Sequence, residues 1–428
     1  MKSKNKARTF SLKLNRRLKS TYALKNPLGD VFPDLPWYGW WLRDQLMLQP
    51  ASLFDCLPGF DCESEECLTG TFLPLCMKIS DIMRQGDGVT LTSITDSLVE
   101  DGIVNVGNEE QALESVTTLV FAVVGWLTML YRPDVLSCPP DEFSIVDETN
   151  GYRGWSHMVI KQDRRRASNK HISRLLLAFG MMLPPPNYNS LSDNEEVKLY
   201  DKLKSIDPST LNLFLLTSIG AVSVHWTDSL ACHLELDTDA KIVYVFRYPS
   251  FCLSNLGKPE DNHGVLRSCG TEVLDSLPCG TEEDIVELLG EVLISYRLLF
   301  GQNMRSRRLF QKLTPFMDIP MRRRDDMLVR LCIDKEFDLA PGLIKQRDVY
   351  EMARDFPHLR CKLVRLSHHL SQRKPRSWVE LWVDNRDSAS WLTFWAVIII
   401  GGVGLLLAFI QVALQVVQVA YQFQHPEG

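Results

Sequence analysis

The sequence predicts a mainly α-helical (α+β) fold: a helical body with a small antiparallel β-meander, followed by one C-terminal transmembrane helix. Twenty uncharged residues, WLTFWAVIIIGGVGLLLAFI, run from Trp391 to Ile410, enough to cross a hydrocarbon core of about 30 Å. Elsewhere apolar residues recur mostly at helical spacing, as in the segment that begins with the Thr281/Asp284 capping pattern. Residues 221–249 change to a period of two, which predicts the meander.

Composition predicts a folded, acidic body. The 428 residues are 45% hydrophobic and 23% charged, which is typical of globular domains. Residues 1–25 carry nine Lys or Arg and no acid, so the other 38 basic residues are outnumbered by 53 acidic ones. A negative body argues against nucleic acid as a partner.

Cysteine usage favours a cytosolic body. The eleven cysteines are an odd number, and the chain contains no Asn-X-Ser/Thr glycosylation acceptor. The basic N-terminal segment has no apolar core of the kind that a signal peptide needs. We therefore expect reduced thiols, and membrane targeting by the C-terminal helix.

Charges before the apolar run predict its orientation. Arg373, Lys374, Arg376 and Arg386 precede the run, and no Lys or Arg follows it. By the positive-inside rule the body faces the cytosol. Because few residues follow the span, we expect post-translational insertion as a single-pass, tail-anchored protein, in the endoplasmic reticulum or another endomembrane.

These patterns divide the chain into six segments. They are a basic tail (1–29), a helical segment with a Cys-rich acidic insertion (30–135), linkers flanking a short helix (136–196), an α+β core (197–372), a basic juxtamembrane segment (373–390) and the transmembrane helix (391–423). The apolar run Ser115–Tyr131 is short and contains hydroxyl residues, which favours a core helix over a second span. Core packing rather than a membrane interface is also expected for the aromatic group Phe32, Trp37, Tyr38, Trp40 and Trp41.

Two patterns resemble zinc sites but lack the required spacing. The acidic insertion contains Cys56, Cys62, Cys67 and Cys76. They are separated by five, four and eight residues, whereas structural zinc sites usually pair ligands two to four residues apart. His233 and Glu235 match the start of a zinc-deaminase signature, but the second thiolate expected after Cys279 is missing. Period-two alternation places both side chains on the exposed face of a strand, so we expect no metal and no cofactor.

Three basic clusters occur in the C-terminal half of the body. They are His368 and His369 with Arg360, Lys362, Arg365 and Arg373; Arg305, Arg307 and Arg308; and Arg322, Arg323 and Arg324. A solvated surface is the expected setting of all three. A proton relay or a metal pair is the alternative role for the two histidines. Phosphate groups of lipid or nucleic acid are the alternative ligands for the two arginine clusters, and the acidic body and the anchor favour lipid.

Two further features are candidate sites. Arg165 and Arg166 lie three and two residues before Ser168, as basophilic kinases prefer, so Ser168 is a candidate phosphorylation site just ahead of a helix expected near His171. Small and polar residues form one face of the apolar run, which predicts self-association through the transmembrane helix, with contacts at the far interface as the alternative for the glutamines. This association face comprises Gly401, Gly404, Ala408, Gln411 and Gln415.

Five stretches carry a resemblance to a known family. They are VFAVVGWLTMLY (120–131), VHWTDSLACHLELD (224–237), VFRYPSFC (245–252), ISYRLLFGQNMRSRRLF (294–310) and RKPRSWVELWVDNRDSASWLTFWAV (373–397). In these stretches the chain resembles a filamentous-fungal family of C-terminally membrane-anchored proteins that has no established activity. The resemblance extends over most of the chain from about residue 120. It implies the single-pass topology and supplies no catalytic residues.

The sequence favours a binding role over catalysis. GxxxxGK[ST], HExxH and GxSxG motifs are absent, which removes the commonest NTPase, metalloprotease and hydrolase signatures. We expect a non-catalytic adaptor or scaffold whose partners are the lipid bilayer and a protein, with no nucleic acid. An accessory enzyme of a fungal secondary-metabolite pathway is the alternative, and a deep polar pocket would favour it over an exposed apolar patch.

Overall fold

The computed structural model describes most of the body and the C-terminal helix. The described residues are 35–85, 88–106, 110–147, 159–256, 265–270, 280–317, 319–337, 346–373 and 388–424. The predicted basic tail, Phe32, Cys279 and most of the juxtamembrane segment lie outside them.

Helices make up most of the described body, as the sequence predicts. The α-helices are α1 (Tyr38–Met47), α2 (Glu65–Cys67), α3 (Leu73–Arg84), α4 (Leu91–Glu100), α5 (Glu110–Thr128), α6 (Arg164–Ser168), α7 (Ile172–Ala178), α8 (Asn194–Lys202), α9 (Leu213–Ser218), α10 (Pro249–Asn255), α11 (Glu282–Tyr296), α12 (Met304–Phe310), α13 (Asp326–Ile333), α14 (Met352–Asp355), α15 (Arg360–Ser371) and α16 (Ser388–Gln424). The 3-10 turns are Ala51–Phe54, Leu230–Cys232, Arg267–Cys269 and Met321–Arg323, and the π-helical turns are Leu68–Phe72 and Arg297–Gly301.

The strands form small separate sheets. They are β1 (Glu142–Ser144), β2 (Lys161–Asp163), β3 (Ser205–Ile206), β4 (Ser223–Thr227), β5 (Leu236–Asp237), β6 (Ile242–Phe246) and β7 (Tyr350–Glu351). β1 pairs with β2 and β3 pairs with β7, both antiparallel. The third sheet has the order β4-β6-β5, in which β4 runs parallel to β6 and β5 antiparallel to it.

The sheet predicted within 221–249 is present, but its connections differ from a meander. Residues 230–236 do not form its middle strand, because Leu230–Cys232 is a 3-10 turn and Leu234 has a φ of 60°. That left-handed conformation is incompatible with a β-strand and is rare for a bulky side chain. His233 and Glu235 are only 1% and 4% exposed, so their predicted placement on an exposed strand face is wrong. The alternating apolar and polar residues belong to a compact turn in which the successive side chains are all buried.

Two apolar helices lie at the centre of the core. In α5, Leu119, Val120 and Trp126 are at most 1% exposed, which confirms a core helix rather than a second span. Helix α11 begins with the expected capping box, in which Thr281 and Asp284 each accept the other's backbone N–H. Each fully buried leucine or valine of these helices contributes roughly 1.5–3 kcal/mol relative to an exposed one.

Helix α1 joins the N-terminal segment to the sheet through its aromatic residues. The Trp37 ring stacks on Tyr248 with centroids 3.9 Å apart, and Trp41 Nε1 donates to Asp228 Oδ2 at 3.1 Å. Tyr38 Oη donates to the Trp126 carbonyl at 3.1 Å. Core packing of the described aromatic group is therefore confirmed. One connected cluster of buried apolar residues extends across the boundaries drawn between the sequence segments.

Side-chain caps begin several of the shorter helices. Helix α8 begins after its N-cap Asp193, whose side chain accepts the backbone N–H groups of Glu195 and Glu196. His171 caps α7 in the same way through its ring. Polar side chains that satisfy free N–H groups thus decide where these helices start.

Helix α16 is the long C-terminal helix. Its stretch Trp395–Tyr421 is 27 residues long with a mean hydropathy of 2.6, and none of its most apolar window is buried in the structure. The helix is therefore long and apolar enough to span a membrane, over bounds close to the predicted 391–423.

Candidate functional site

A buried serine–histidine pair lies between the sheet and α11. His233 Nε2 and Ser295 Oγ are 2.8 Å apart, and His233 Nδ1 accepts the Phe246 N–H at 3.2 Å. Because Nδ1 accepts a hydrogen bond, the neutral ring carries its proton on Nε2, and this N–H donates a hydrogen bond to Ser295. Burial, and then the charge of Lys362, lowers the pKa of His233 well below its ordinary value, which keeps the ring neutral.

This pair is not arranged as a nucleophile and its base. Ser295 Oγ donates its own proton to the Val292 carbonyl at 2.7 Å, and the facing nitrogen of His233 is already protonated. A histidine in this tautomer cannot withdraw the serine proton. The pair instead satisfies polar groups of the core and connects the sheet to α11.

The residue that organises this polar centre is Lys362 on α15. Its Nζ donates to the carbonyls of Ala231 at 2.7 Å and His233 at 2.9 Å, and lies 3.8 Å from Glu235 Oε2. Glu235 also faces Arg365, whose guanidinium lies 3.9 Å away. Burial lowers the pKa of Lys362 from 10.5 to about 8, and Glu235 opposes this effect.

The basic face predicted around His368 and His369 is for the most part buried, so the expectation of a solvated surface is wrong for three of its members. Arg360, Lys362 and His369 are 8%, 3% and 7% exposed. Arg360 donates to the Tyr200 carbonyl, and His369 Nε2 lies 3.0 Å from the Gly220 carbonyl oxygen. The helix presents these residues to backbone carbonyls of the body, which a sequence pattern alone does not show.

The two arginine clusters are divided between core and surface. Arg323 is 8% exposed and lies over the Trp40 ring, 4.0 Å from its centroid, and Arg324 donates to the Ile319 carbonyl. Arg305 and Arg308 of α12 are exposed. A lipid-phosphate contact therefore remains a hypothesis for the exposed pair.

A third polar group joins α11 to the segment before α15. Asp284, Glu287 and His358 place one ligand atom each within 4.8 Å of one another. His358 Nε2 lies 3.4 Å from Glu287 Oε2 and 3.8 Å from Asp284 Oδ1. Glu291, one turn beyond Glu287, accepts the backbone N–H groups of His358 and Leu359. In the part of the chain that the structure describes, this is the one group of such residues with the spacing of metal ligands.

The His358 ring is held neutral inside this group. Its side chain is 0% exposed, compared with 13% for Asp284 and 47% for Glu287. Burial lowers the pKa of His358, and the charges of Asp284 and Glu287 offset the shift only in part. Sequence reasoning missed this group because His358 has no local motif and lies far along the chain from α11. The Asp284/Glu287 spacing on one helix face was the available signal.

Comparison of the chain with family models, with curated proteins and with solved structures gives no match.

The four cysteines considered as zinc ligands are thiols that differ in their burial. Cys56 and Cys76 are buried, whereas Cys62 and Cys67 are partly exposed. Burial raises the pKa of Cys56 to about 11 and that of Cys76 further still. High pKa values keep both thiols protonated and unreactive at neutral pH.

The two remaining candidate sites have contrasting positions. Ser168 is 8% exposed at the end of α6, and its Oγ donates to the Arg164 carbonyl at 2.7 Å. Phosphorylation there requires the end of α6 to open, and it stays a prediction. The association face from Gly401 to Gln415 is exposed along α16, and a Cβ built on Gly401 or Gly404 meets nothing within 4 Å among the described residues.

Replacing the buried ammonium tests the polar centre. Above pH 8 Lys362 loses its proton in the folded chain, whereas the unfolded chain keeps it up to about pH 10.5. Because the unfolded state binds more protons in this window, the free energy of unfolding rises with pH there. Lys362→Met removes this dependence and lowers the free energy of unfolding by about 3–5 kcal/mol. We expect the difference between wild type and variant, measured by urea unfolding, to increase from pH 8 to 10.5.

Titrating groups that do not interact with Lys362 are common to both proteins and cancel in this difference. Lys198→Met is the matched control, because Lys198 is exposed and pairs only with Glu195 at the surface. Its difference from wild type should stay constant over the same window. A constant difference for Lys362→Met would contradict the prediction.

Proposed function

We propose that this chain is a membrane-anchored adaptor or scaffold, with its body on the cytosolic side of an endomembrane. The observation that carries the proposal is the exposed apolar stretch Trp395–Tyr421 of α16. Its 27 residues reach about 40 Å at 1.5 Å per residue, more than a hydrocarbon core of about 30 Å. Water does not accommodate an apolar surface of this size, so lipid is the solvent that fits it.

Two sequence features support the finer parts of the proposal. The basic residues of 373–386 precede the span, which supports a cytosolic body and a translocated C-terminal end. The stretches quoted above support membership of the filamentous-fungal group that the chain resembles. In this proposal α16 is a tail anchor of the endoplasmic reticulum or a related membrane.

An exposed methionine group supports a protein partner. It consists of Met304, Met317 and Met321, whose side chains are 54%, 68% and 80% exposed. Methionine side chains are flexible and polarizable, and they are frequent at surfaces that adapt to a partner. Exposed Arg305 and Arg308 lie in the same segment. A partner with an apolar face and acidic flanking residues fits the exposed side chains of this segment.

Proximity labelling from the body of the full-length protein tests the adaptor role. We expect Met317→Gln combined with Met321→Gln to remove the main labelled partner, because the change replaces the exposed apolar surface by polar groups. Met77→Gln is the matched control, since Met77 is 54% exposed on α3, outside the methionine group. The same labelled proteins in wild type and the double variant would contradict the adaptor surface.

Glycosylation mapping tests the topology. Leu191→Thr creates an acceptor at Asn189, which is exposed in the body, and a second acceptor is added on a lengthened C-terminal tail. We expect only the tail acceptor to be modified, because glycosylation occurs on the translocated side. Modification of Asn189 without modification of the tail would reverse the proposed orientation.

We also expect the chain to self-associate through α16. Small side chains allow close backbone approach, and a glutamine amide gains roughly 0.6–2 kcal/mol by bonding across a helix pair. Gly404→Ile and Ala408→Ile, combined with Gln411→Leu, should abolish association in a membrane dimerisation assay and leave insertion intact. Leu406→Ile with Phe409→Leu alters the opposite face and is the control. Unchanged association in the triple variant would leave α16 as an anchor only.

A further inference from the structure

We infer that Asp284, Glu287 and His358 form a binding site for a divalent transition-metal ion of the Zn²⁺ class. The site goes beyond the adaptor role, because it lies in the body and uses none of the residues that support anchoring or the methionine group. One imidazole nitrogen and two carboxylate oxygens are donors that such ions accept.

The separations between donor atoms suit a single ion. Two ligands of a tetrahedral zinc ion, each about 2.0–2.1 Å from the metal, are roughly 3.4 Å from each other. The Nε2 atom of His358 lies 3.4 Å from Glu287 Oε2 and 3.8 Å from Asp284 Oδ1. Small side-chain rotations are therefore enough to bring all three atoms to one centre.

The histidine supplies an observation independent of the two acids. Its side chain is fully buried, and neither ring nitrogen makes a hydrogen bond of good geometry to any described residue, although the Pro184 backbone and Glu287 both interact with the ring. Glu287 approaches Nε2 at 3.4 Å without hydrogen-bond alignment. An imidazole buried without a hydrogen bond of good geometry loses free energy, and a metal ion at Nε2 would supply a stronger interaction.

The surrounding structure holds the ligands in place. Asp284 Oδ2 accepts the Thr281 N–H at 2.7 Å, so the capping box orients the carboxylate and leaves Oδ1 facing His358. Glu287 lies one turn further along the same face of α11. Glu291 accepts the His358 N–H at 2.9 Å, which attaches the backbone of the third ligand to the same helix. Supporting contacts of this kind are typical of metal sites.

The local charge also favours a cation. Asp284 and Glu287 lie along one side of α11, and in the described residues neither forms an ion pair with Lys or Arg. A divalent ion would balance both carboxylates and connect α11 directly to the segment that leads into α15.

Three protein ligands leave a fourth position open. Glu287 is 47% exposed, so this position is on the solvent side of the site. Zinc sites with three protein ligands and an open position hold a water molecule or an anionic ligand there. The site therefore fits an exchangeable ion with a bound water rather than a closed structural centre.

Zinc titration of the full-length protein in detergent micelles tests the site. After chelator treatment, we expect the wild-type chain to bind one Zn²⁺ in competition with a chromophoric chelator, and to melt at a higher temperature with Zn²⁺ than without it. Glu287→Gln keeps the side-chain shape at a half-exposed position. It should weaken Zn²⁺ binding by at least about 10–100-fold, the range produced by loss of an outer supporting contact alone.

Two further variants separate this site from adventitious binding. Glu283→Gln removes the same charge from an exposed position on α11 outside the ligand group and should leave Zn²⁺ affinity unchanged. His358→Gln should lose Zn²⁺ binding and the visible absorption of a Co²⁺-substituted site. Equal melting temperatures of metal-free wild type and Glu287→Gln show that the fold is intact. No Zn²⁺ uptake by wild type, or equal affinity in Glu287→Gln, would overturn the site.

Discussion

The buried ammonium of Lys362 attaches α15 to the rest of the body. It donates to two carbonyls in the turn between β4 and β5 and pairs with Glu235 of the same turn. Buried carbonyls need hydrogen-bond donors, and a buried ammonium needs acceptors, so neither arrangement is stable without the other. Arg365 extends the network from Glu235 to Glu196 of α8. The position of α15 against the sheet depends on these hydrogen bonds and ion pairs.

Helix α11 takes part in the same arrangement from the other side. Its Ser295 contacts His233, and its Glu291 accepts the N–H groups at the start of α15. A carboxylate at a helix N-terminus satisfies free N–H groups and interacts favourably with the helix dipole. Burial nevertheless raises the pKa of Glu291 well above its ordinary value, which shows how completely this contact is removed from water. An apolar helix thus also carries the polar contacts that orient its neighbours.

The two most apolar segments have opposite surroundings. Helix α5 is enclosed by the body, with Leu119 and Val120 at 0% exposure, whereas Leu405 of α16 is 76% exposed. Length and uninterrupted apolar character distinguish them in the sequence, because α5 is interrupted by threonines whose hydroxyls bond back to the helix. Burial of one and exposure of the other separates the chain into a packed body and a helix suited to lipid.

Local patterns predicted the long elements well. The apolar run at 391–410, the core helix around Val120 and the Thr281 capping box all follow from residues that are neighbours along one helix. The body as mainly helical follows in the same way. Such features depend on periodicity and capping, which a sequence displays directly.

Only the tertiary structure determines which polar residues are buried. His233, Glu235, Lys362 and His358 are ordinary polar residues in the sequence, and their burial depends on carbonyls and carboxylates that are far away along the chain. The β4–β6 pairing is also parallel rather than part of a meander, and β6 rather than β5 lies beside β4. The sequence by itself therefore determined which segments are helices and which one suits a membrane. The fold determined which charges are buried, because the free energy of a buried charge depends on partners that only the folded chain brings into contact.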